Sequence, residues 1–554
     1  MADINRRKFL TYVGTGAAAL TVASAGLGGL APKVEAKGRD AANNLFGFNK
    51  KVSGLNFKPI EPTDADDIVL PKGYKYEVVA AYGDKINEAG DTFGFNCDFT
   101  QYLPINGSSN HGLLWVNHEY SSDPFVQGAP DANGKYSAKQ IEQLLYVQGG
   151  SIIEVKGDKK GGWKMITDSQ YARRVTGLTP FELTGPAEVI AGPNKGLQHY
   201  AQGTFANCSG GLTLWNTVLS AEENYEDTCE AAGLDEKHYG WIVEVDPFDP
   251  NFQVRKHTAL GRFHHENAAM GLTNDGRVVV YMGDDVKDAC VYKYISNGTY
   301  KKSASRDENS KLLVDGTLYV ANMKKGEWVA MTIENVKAAI KGKEDLEAKY
   351  QTQADVLVYA DEASILLGGT PTDRPEDVEI SPFDKTIFIA HTNNDRHGNF
   401  HGHITRFIED NNDLGSLTFD FEIFAAGGKQ SGFSAPDNLT FDSNANLWTV
   451  TDISSSSLNK GIHKHFKNNG LFVIPTVAYK NVKEDEVGEA FQFASGPIEA
   501  EMTGPSFTQD ETTLFLAIQH PGEGTKDAKN PTSMWPHRKG DTMPRPSVVA
   551  ITGF

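Results

Sequence analysis

The chain has 554 residues and a net charge of −19, with 39% hydrophobic and 23% charged residues, 55 glycines and 24 prolines. That length calls for several domains or one large all-β architecture, and the glycines and prolines call for many turns. The acidic balance excludes nucleic acid as a structural partner, because phosphate backbones need a clustered basic face. Four cysteines without a CxxC pair exclude a disulfide scaffold and a zinc ribbon.

The first element is an address. Asn5-Arg6-Arg7-Lys8-Phe9-Leu10 is followed by a Gly/Ala-rich, mildly apolar run to about Leu30 and then Val34-Glu35-Ala36. This reads as a twin-arginine signal peptide over residues 1–36 with a small-residue cleavage site. Gly14, Gly16, Gly26, Gly28 and Gly29 interrupt the run, which argues against a membrane anchor. The expectation is export by the twin-arginine machinery to the periplasm or the extracellular space. The mature chain, 37–554, is expected to be a monomer with no membrane span. Export in the folded state suits a protein whose metal centre is assembled inside the cell.

Four later segments share one pattern of apolar residues around a tight turn: MGLTNDGRVVVYMGDD (270–285), VEISPFDKTIFIAHTNN (378–394), NLTFDSNANLWTVTD (438–452) and PSFTQDETTLFLAIQHP (505–521). Each reads as a β-hairpin. HGLLWVNHEY (111–120) and GGSIIEVKG (149–157) look like parts of an earlier unit, and residues 331–349 have the 3.6-residue apolar period of a helical insertion. Repeated hairpins over so long a chain predict an all-β fold, a single β-propeller with helical and loop insertions. A pair of β-sandwiches is the rival.

In a hairpin, the residues before the first strand and after the second lie at one end, and here those residues are polar. They include Asn117-His118-Glu119, Glu266-Asn267, Asp284-Asp285, Arg374, Glu376-Asp377, His391, Asp437-Asn438, Asp452, and Gln519-His520 with Glu523. Gathered at one mouth, these carboxylates would repel one another unless cations neutralised them. Oxygen ligands suit calcium, whereas an added thiolate suits iron or zinc. Taken singly, each acid is better explained as a turn or strand-end residue capping backbone amides; it is the recurrence that points to a site. Arg374 is either half of a surface ion pair or a planar fork for a phosphate oxygen. His264, His265, His397, His401 and His403 read as loop residues, since HGNFHGH lacks the HExxH spacing. No GxSxG elbow or Walker loop is present, and DNNDLG (410–415) fails as an EF-hand.

Together, the twin-arginine start, NHE (117–119), CSGG…W…AEEN (208–224), GRFHHE (261–266), RPED (374–377), PDNLTFDS…LWTVTD (436–452), TGPSF…QHPGE (503–523) and RPSVVAI (545–551) resemble the PhoX-type alkaline phosphatases. The resemblance implies a six-bladed propeller whose mouth holds iron and calcium and hydrolyses phosphomonoesters with a metal-bound oxygen. It implies Cys208 as an iron ligand, with Gly210 and Gly211 letting backbone approach the cluster. It implies Glu119, Glu266, Glu376 and Asp452 as carboxylate ligands, and Arg374 with Glu376 as the catalytic pair, Arg374 orienting the phosphate. Glu222, Glu223 and Asn224 fall in the motif without an assigned role. The chain departs from the family pattern at Leu214 and Asn216, and at Cys97 in FNCD, departures that bear on the shape of the pocket. The alternatives are a calcium-dependent lactonase or esterase propeller and a non-enzymatic, calcium-stabilised binding propeller.

Overall fold

The computed structural model describes residues 55–158, 161–187, 200–478, 482–483 and 486–554. The expected signal peptide, residues 1–36, lies outside them. Among the described residues the regular structure is mostly strand, with short helices, in a propeller-like fold.

All four predicted hairpins form. Ala269–Leu272 pairs antiparallel with Arg277–Gly283, Pro375–Ile380 with Ile387–His391, Pro436–Phe441 with Asn446–Thr451, and Glu501–Phe507 with Thr513–Gln519. In the earlier unit, His111–His118 pairs with both Cys97–Pro104 and Gly149–Gly157. The motif around Cys208 is a hairpin too: Asn207–Leu212 pairs with Val218–Glu222. The helical insertion runs further than its apolar period suggested, through Ile333–Ala339, Glu344–Lys349, Gln353–Val358 and Ala360–Leu366.

Among the described residues these strands build six sheets, each beginning or ending with one hairpin's first strand. Those first strands neighbour one another. Cys97–Pro104 lies against Asn207–Leu212, which lies against Ala269–Leu272; Pro375–Ile380, Pro436–Phe441 and Glu501–Phe507 follow, and the last lies against Cys97–Pro104. Six small sheets in sequence differ from the facing pair of a sandwich. Apolar layers fill the spaces between sheets, as where Trp448, Val450 and Leu471 meet Met502, Leu514 and Val549. Lys75–Ala81 completes the last sheet by pairing with Ser547–Thr552.

One irregularity recurs. In five of the six hairpins two residues of the first strand face one of the second: Asp98-Phe99, Cys208-Ser209, Glu376-Asp377, Asp437-Asn438 and Gly504-Pro505. Such a β-bulge breaks the two-residue alternation and re-aims a side chain. Bonds between side chains and backbone tie successive bulges together. Thr100 Oγ1 donates to the Gly504 carbonyl at 2.6 Å, Gly504 N to Asn438 Oδ1 at 2.7 Å, Leu439 N to Asp377 Oδ2 at 2.6 Å, and Asn267 Nδ2 to the Val378 carbonyl at 2.7 Å. Asn117 Nδ2 donates to the Cys208 and Ser209 carbonyls.

Gly210 and Gly211 serve packing between strands rather than approach to the cluster. A Cβ on Gly211 would sit 2.0 Å from the Ala268 carbonyl oxygen, and one on Gly210 2.2 Å from that of Leu219. Beside them lies a buried ion pair. Lys256 Nζ donates to Glu222 Oε1 at 2.5 Å and to the His238 carbonyl at 2.9 Å, and neither side chain of the pair is exposed. Replacing Lys256 by Met strands the Glu222 carboxylate in the interior. The expected loss is about 3–5 kcal/mol, read as a lower urea midpoint than wild type; an unchanged midpoint contradicts the pairing.

Candidate metal centre

The bulges place Asp98, Cys208, Glu376 and Asp437 at equivalent positions of four sheets. A second set follows the second strands: Glu119 after His111–His118, Glu223 after Val218–Glu222, Asp284 and Asp285 after Arg277–Gly283, and Asp452 after Asn446–Thr451. Glu266 precedes Ala269–Leu272, and Glu501 opens the last hairpin.

Apart from Asp284, which faces His264, these groups form one largely buried acidic cluster. Ligand atoms of Asp98, Glu119 and Cys208 all lie within 4.8 Å of one another, as do those of Cys208, Glu223 and Glu266. The thiol is common to both triads and sits 3.2 Å from Glu266 Oε1. Arg374 stands beside them: Nη2 donates to Asp285 Oδ2 at 2.7 Å and Nη1 to Asp452 Oδ2 at 3.2 Å. Nη2 is also 2.7 Å from Glu376 Oε1, but at an angle that makes no hydrogen bond. All the site residues expected from sequence thus meet in one region: Glu119, Cys208 and Glu266 around the thiol, Arg374, Glu376 and Asp452 around the guanidinium. Glu376 belongs to both halves: it lies 2.7 Å from Arg374 Nη2, and after burial it is the charge that most raises the Glu266 pKa.

The cluster is short of hydrogen-bond donors. Burial, followed by the neighbouring carboxylates, pushes Asp98, Glu223, Glu266, Asp437 and Glu501 well above the ordinary carboxylate range. Burial also raises Glu376, against the pull of Arg374. The Cys208 thiol is raised by burial and then by Asp98, Glu119, Glu266 and Glu223. Asp452 is lowered, because a hydrogen bond from Glu501 and the Arg374 charge outweigh its burial. Asp98 Oδ1, Asp285 Oδ1 and Glu376 Oε1 are buried with no hydrogen-bond partner. Partnerless buried carboxylate oxygens beside one thiol fit multivalent cations, the oxygens suiting a hard ion and the sulfur a softer one.

The sequence named Asp285 and Asp437 only as flanking acids, left Glu223 unassigned and passed over Asp98 and Glu501. The structure divides the Glu222-Glu223-Asn224 motif. Glu222 faces inward to Lys256 and Thr204, Glu223 joins the cluster, and Asn224 Nδ2 donates to Tyr120 Oη at 2.8 Å. His391 does not reach the cluster; it stacks on His403 within the sheet and bonds Thr405. His264 lies between Glu226 and Asp284, which outweigh its burial and raise its pKa to about 10. The departures in sequence also miss the pocket. Cys97 Sγ points to the Ile518 carbonyl, and Leu214 and Asn216 lie in the turn at the far end of their hairpin.

The family profile described as Alkaline phosphatase PhoX matches residues 55–522. The chain belongs to the PhoX family. Among solved structures it is similar to Pseudomonas fluorescens PhoX in complex with vanadate, a transition state analogue. The two share 31% identity over 90% of this chain and 97% of that one, with a TM-score of 0.78. A Xanthomonas campestris gluconolactonase, XC5397, aligns with 83% of this chain and 96% of its own at 10% identity, but its TM-score of 0.29 carries no weight. No curated protein matches the chain. The PhoX profile spans every residue of the cluster described above.

The raised pKa values set the pH response of the metal-stripped protein. Carboxyls that hold their protons more tightly when folded stabilise the fold below the unfolded value, near pH 4, and that contribution is lost as pH rises through the folded values. Asp377, raised by burial to about 7, places part of the loss between pH 4 and 7. After chelation, calorimetry is expected to show Tm falling as pH rises across this window, and readded cations are expected to restore it. A Tm indifferent to chelator and pH rules out the cluster as a cation site.

Proposed function

We propose that this PhoX-family protein is an exported, metal-dependent phosphatase that releases inorganic phosphate from phosphomonoesters at the Cys208–Arg374 mouth. The observation that carries this is the juxtaposition of a thiol shared by two carboxylate triads with a guanidinium held by Asp285 and Asp452. In this proposal residues 37–554 are one domain and the six sheets are six blades; the neighbouring first strands and the cross-bonded bulges support it. Residues 1–36 would direct twin-arginine export to the periplasm or beyond. No helix of the described residues is long and apolar enough to cross a membrane. The enzyme is taken to act as a monomer.

Cys208 would ligate iron, and Glu119, Glu266, Glu376 and Asp452 would hold iron and calcium between them, with Asp98 and Glu223 added by geometry. When bound, these cations supply Lewis acidity toward phosphoryl oxygens. Arg374 offers the phosphate its planar fork. Asp285 and Asp452 fix that fork before substrate arrives, so charge developing on the phosphoryl oxygens meets a donor that need not reorganise. Glu376 completes the set of acids around the guanidinium, its Oε1 lying 2.7 Å from Nη2. A lactonase or a binding propeller has no use for a phosphate-shaped cation beside the ligands, and family membership favours neither.

Purified protein is expected to contain iron and calcium by elemental analysis and to hydrolyse a chromogenic phosphomonoester, with inhibition by vanadate. Arg374→Ala should lower kcat/KM by about 10²–10³, the usual loss for a donor aimed at developing charge, while keeping its metals. Cys208→Ala should lose iron and activity together. Full activity in the Cys208 variant defeats the assignment.

A further inference from the structure

The sequence left the histidine-rich loop HGNFHGH without a task, and one of its members touches both flanks of the Arg374 site. His397 closes a short 3-10 turn, Asp395–His397, that Asn394 caps by accepting from Arg396 N. Gly398, at φ 72°, then reverses the chain, so that Asn394 and Asn399 exchange backbone bonds. The turn thereby presents the imidazole edge-on between two aspartates. Nδ1 hydrogen-bonds Asp373 Oδ1 at 2.6 Å, while Nε2 lies 3.0 Å from Asp288 Oδ1 as a charge contact; the hydrogen bonds to Asp288 come from Asn394 Nδ2 at 3.0 Å and Arg396 Nη1 at 2.6 Å of the same turn. Asn399 Nδ2 binds the other Asp373 oxygen at 2.9 Å.

The two aspartates belong to the two segments that make the Arg374 contact. Asp373 immediately precedes Arg374, and Asp288 lies three residues beyond Asp285, the acid that takes Nη2 at 2.7 Å. Backbone bonds join the same segments: Asp288 N to the Thr372 carbonyl at 3.0 Å and Thr372 N to the Ala289 carbonyl at 2.8 Å. Arg374 itself has φ 58°, a left-handed conformation that costs an ordinary residue of order 1–3 kcal/mol unless its surroundings enforce it. The enforcement is visible on both sides: Thr392 N donates to the Arg374 carbonyl at 3.0 Å, and Asp373 is held on both oxygens. His397 remains a quarter exposed, so it is reachable from solvent.

We infer that His397 is a positioning residue for Arg374: bridging Asp373 to Asp288, it fixes the distance between the guanidinium and Asp285, and so the angle at which the fork meets a phosphate. The inference rests on the role given to Arg374 above. Without the bridge the strained backbone relaxes and the fork shifts, and a misplacement of about 1 Å is enough to cost about 10²-fold in rate.

The test uses full-length protein with a chromogenic phosphomonoester. His397→Gly is expected to lower kcat/KM by about 10- to 100-fold and to weaken vanadate inhibition in parallel, with iron and calcium content unchanged. Free imidazole should restore much of the loss by entering the vacated, solvent-facing space, while leaving wild type unaffected. In an Arg374→Ala background the same change should cost nothing further, since there is no fork left to position. If His397→Gly fails to fold, Asp288→Asn, which removes the far anchor from a partly exposed site, is expected to give the same parallel loss. Wild-type kcat/KM in whichever variant folds, or a loss that imidazole leaves unrepaired and that persists beside Arg374→Ala, overturns the bridge. An active Arg374→Ala enzyme would instead overturn the role of Arg374 itself.

Discussion

The fold has to hold carboxylates together where water cannot screen them. Asp98, Glu119, Glu223, Glu266, Glu376, Asp437 and Asp452 come from strands and strand ends spread over more than three hundred residues, and all but Asp452 are almost fully buried. Coulomb repulsion in such a place is resisted only by protons, cations or a rigid frame. The frame is the repeated bulge, locked to its neighbours by the bonds from Thr100, Asn117, Asn267, Asp377 and Asn438. Because each bond joins a side chain of one sheet to the backbone of the next, the bulges that carry Asp98, Glu376 and Asp437 are fixed relative to one another.

Within that frame Arg374 has a double effect. Together with a hydrogen bond from Glu501 it lowers the Asp452 pKa, and it opposes the rise that burial imposes on Glu376. It also keeps one positive group at a mouth otherwise lined with acids, which an anionic phosphate needs if the field of a chain with net charge −19 is not to repel it. The left-handed backbone at Arg374 is a cost accepted for that placement, and the bonds at Thr392, Asp373 and His397 show where it is absorbed.

The hairpins were legible because apolar alternation around Asp, Asn and Gly turns survives insertions. Glu119, Glu266, Glu376 and Asp452 were legible because they flank those hairpins within recognisable motifs. Asp98 was not, since it sits inside a strand whose alternation is broken by the bulge that aims it into the cluster, and a bulge leaves no period to read. Glu501 lies just outside the quoted hairpin pattern. Glu222 and Glu223 are adjacent and chemically identical; only the register across Ser220 and Glu222 decides that one meets Lys256 and the other the thiol. Gly210 and Gly211 were assigned to the wrong neighbour for a similar reason, as a glycine announces close approach but not by what.

The strand Lys75–Ala81 completes its sheet against Ser547–Thr552, next to the hairpin that carries Glu501 and Gln519. These two strands stand far apart in the sequence, so pairing them closes a long loop and depends on a non-local search. Loss of either tail would leave an unsealed seam beside Gln519, whose amide bonds Asp98 and Glu119. Damage at the extremities is thereby transmitted to the ion-holding groups at the heart of the molecule.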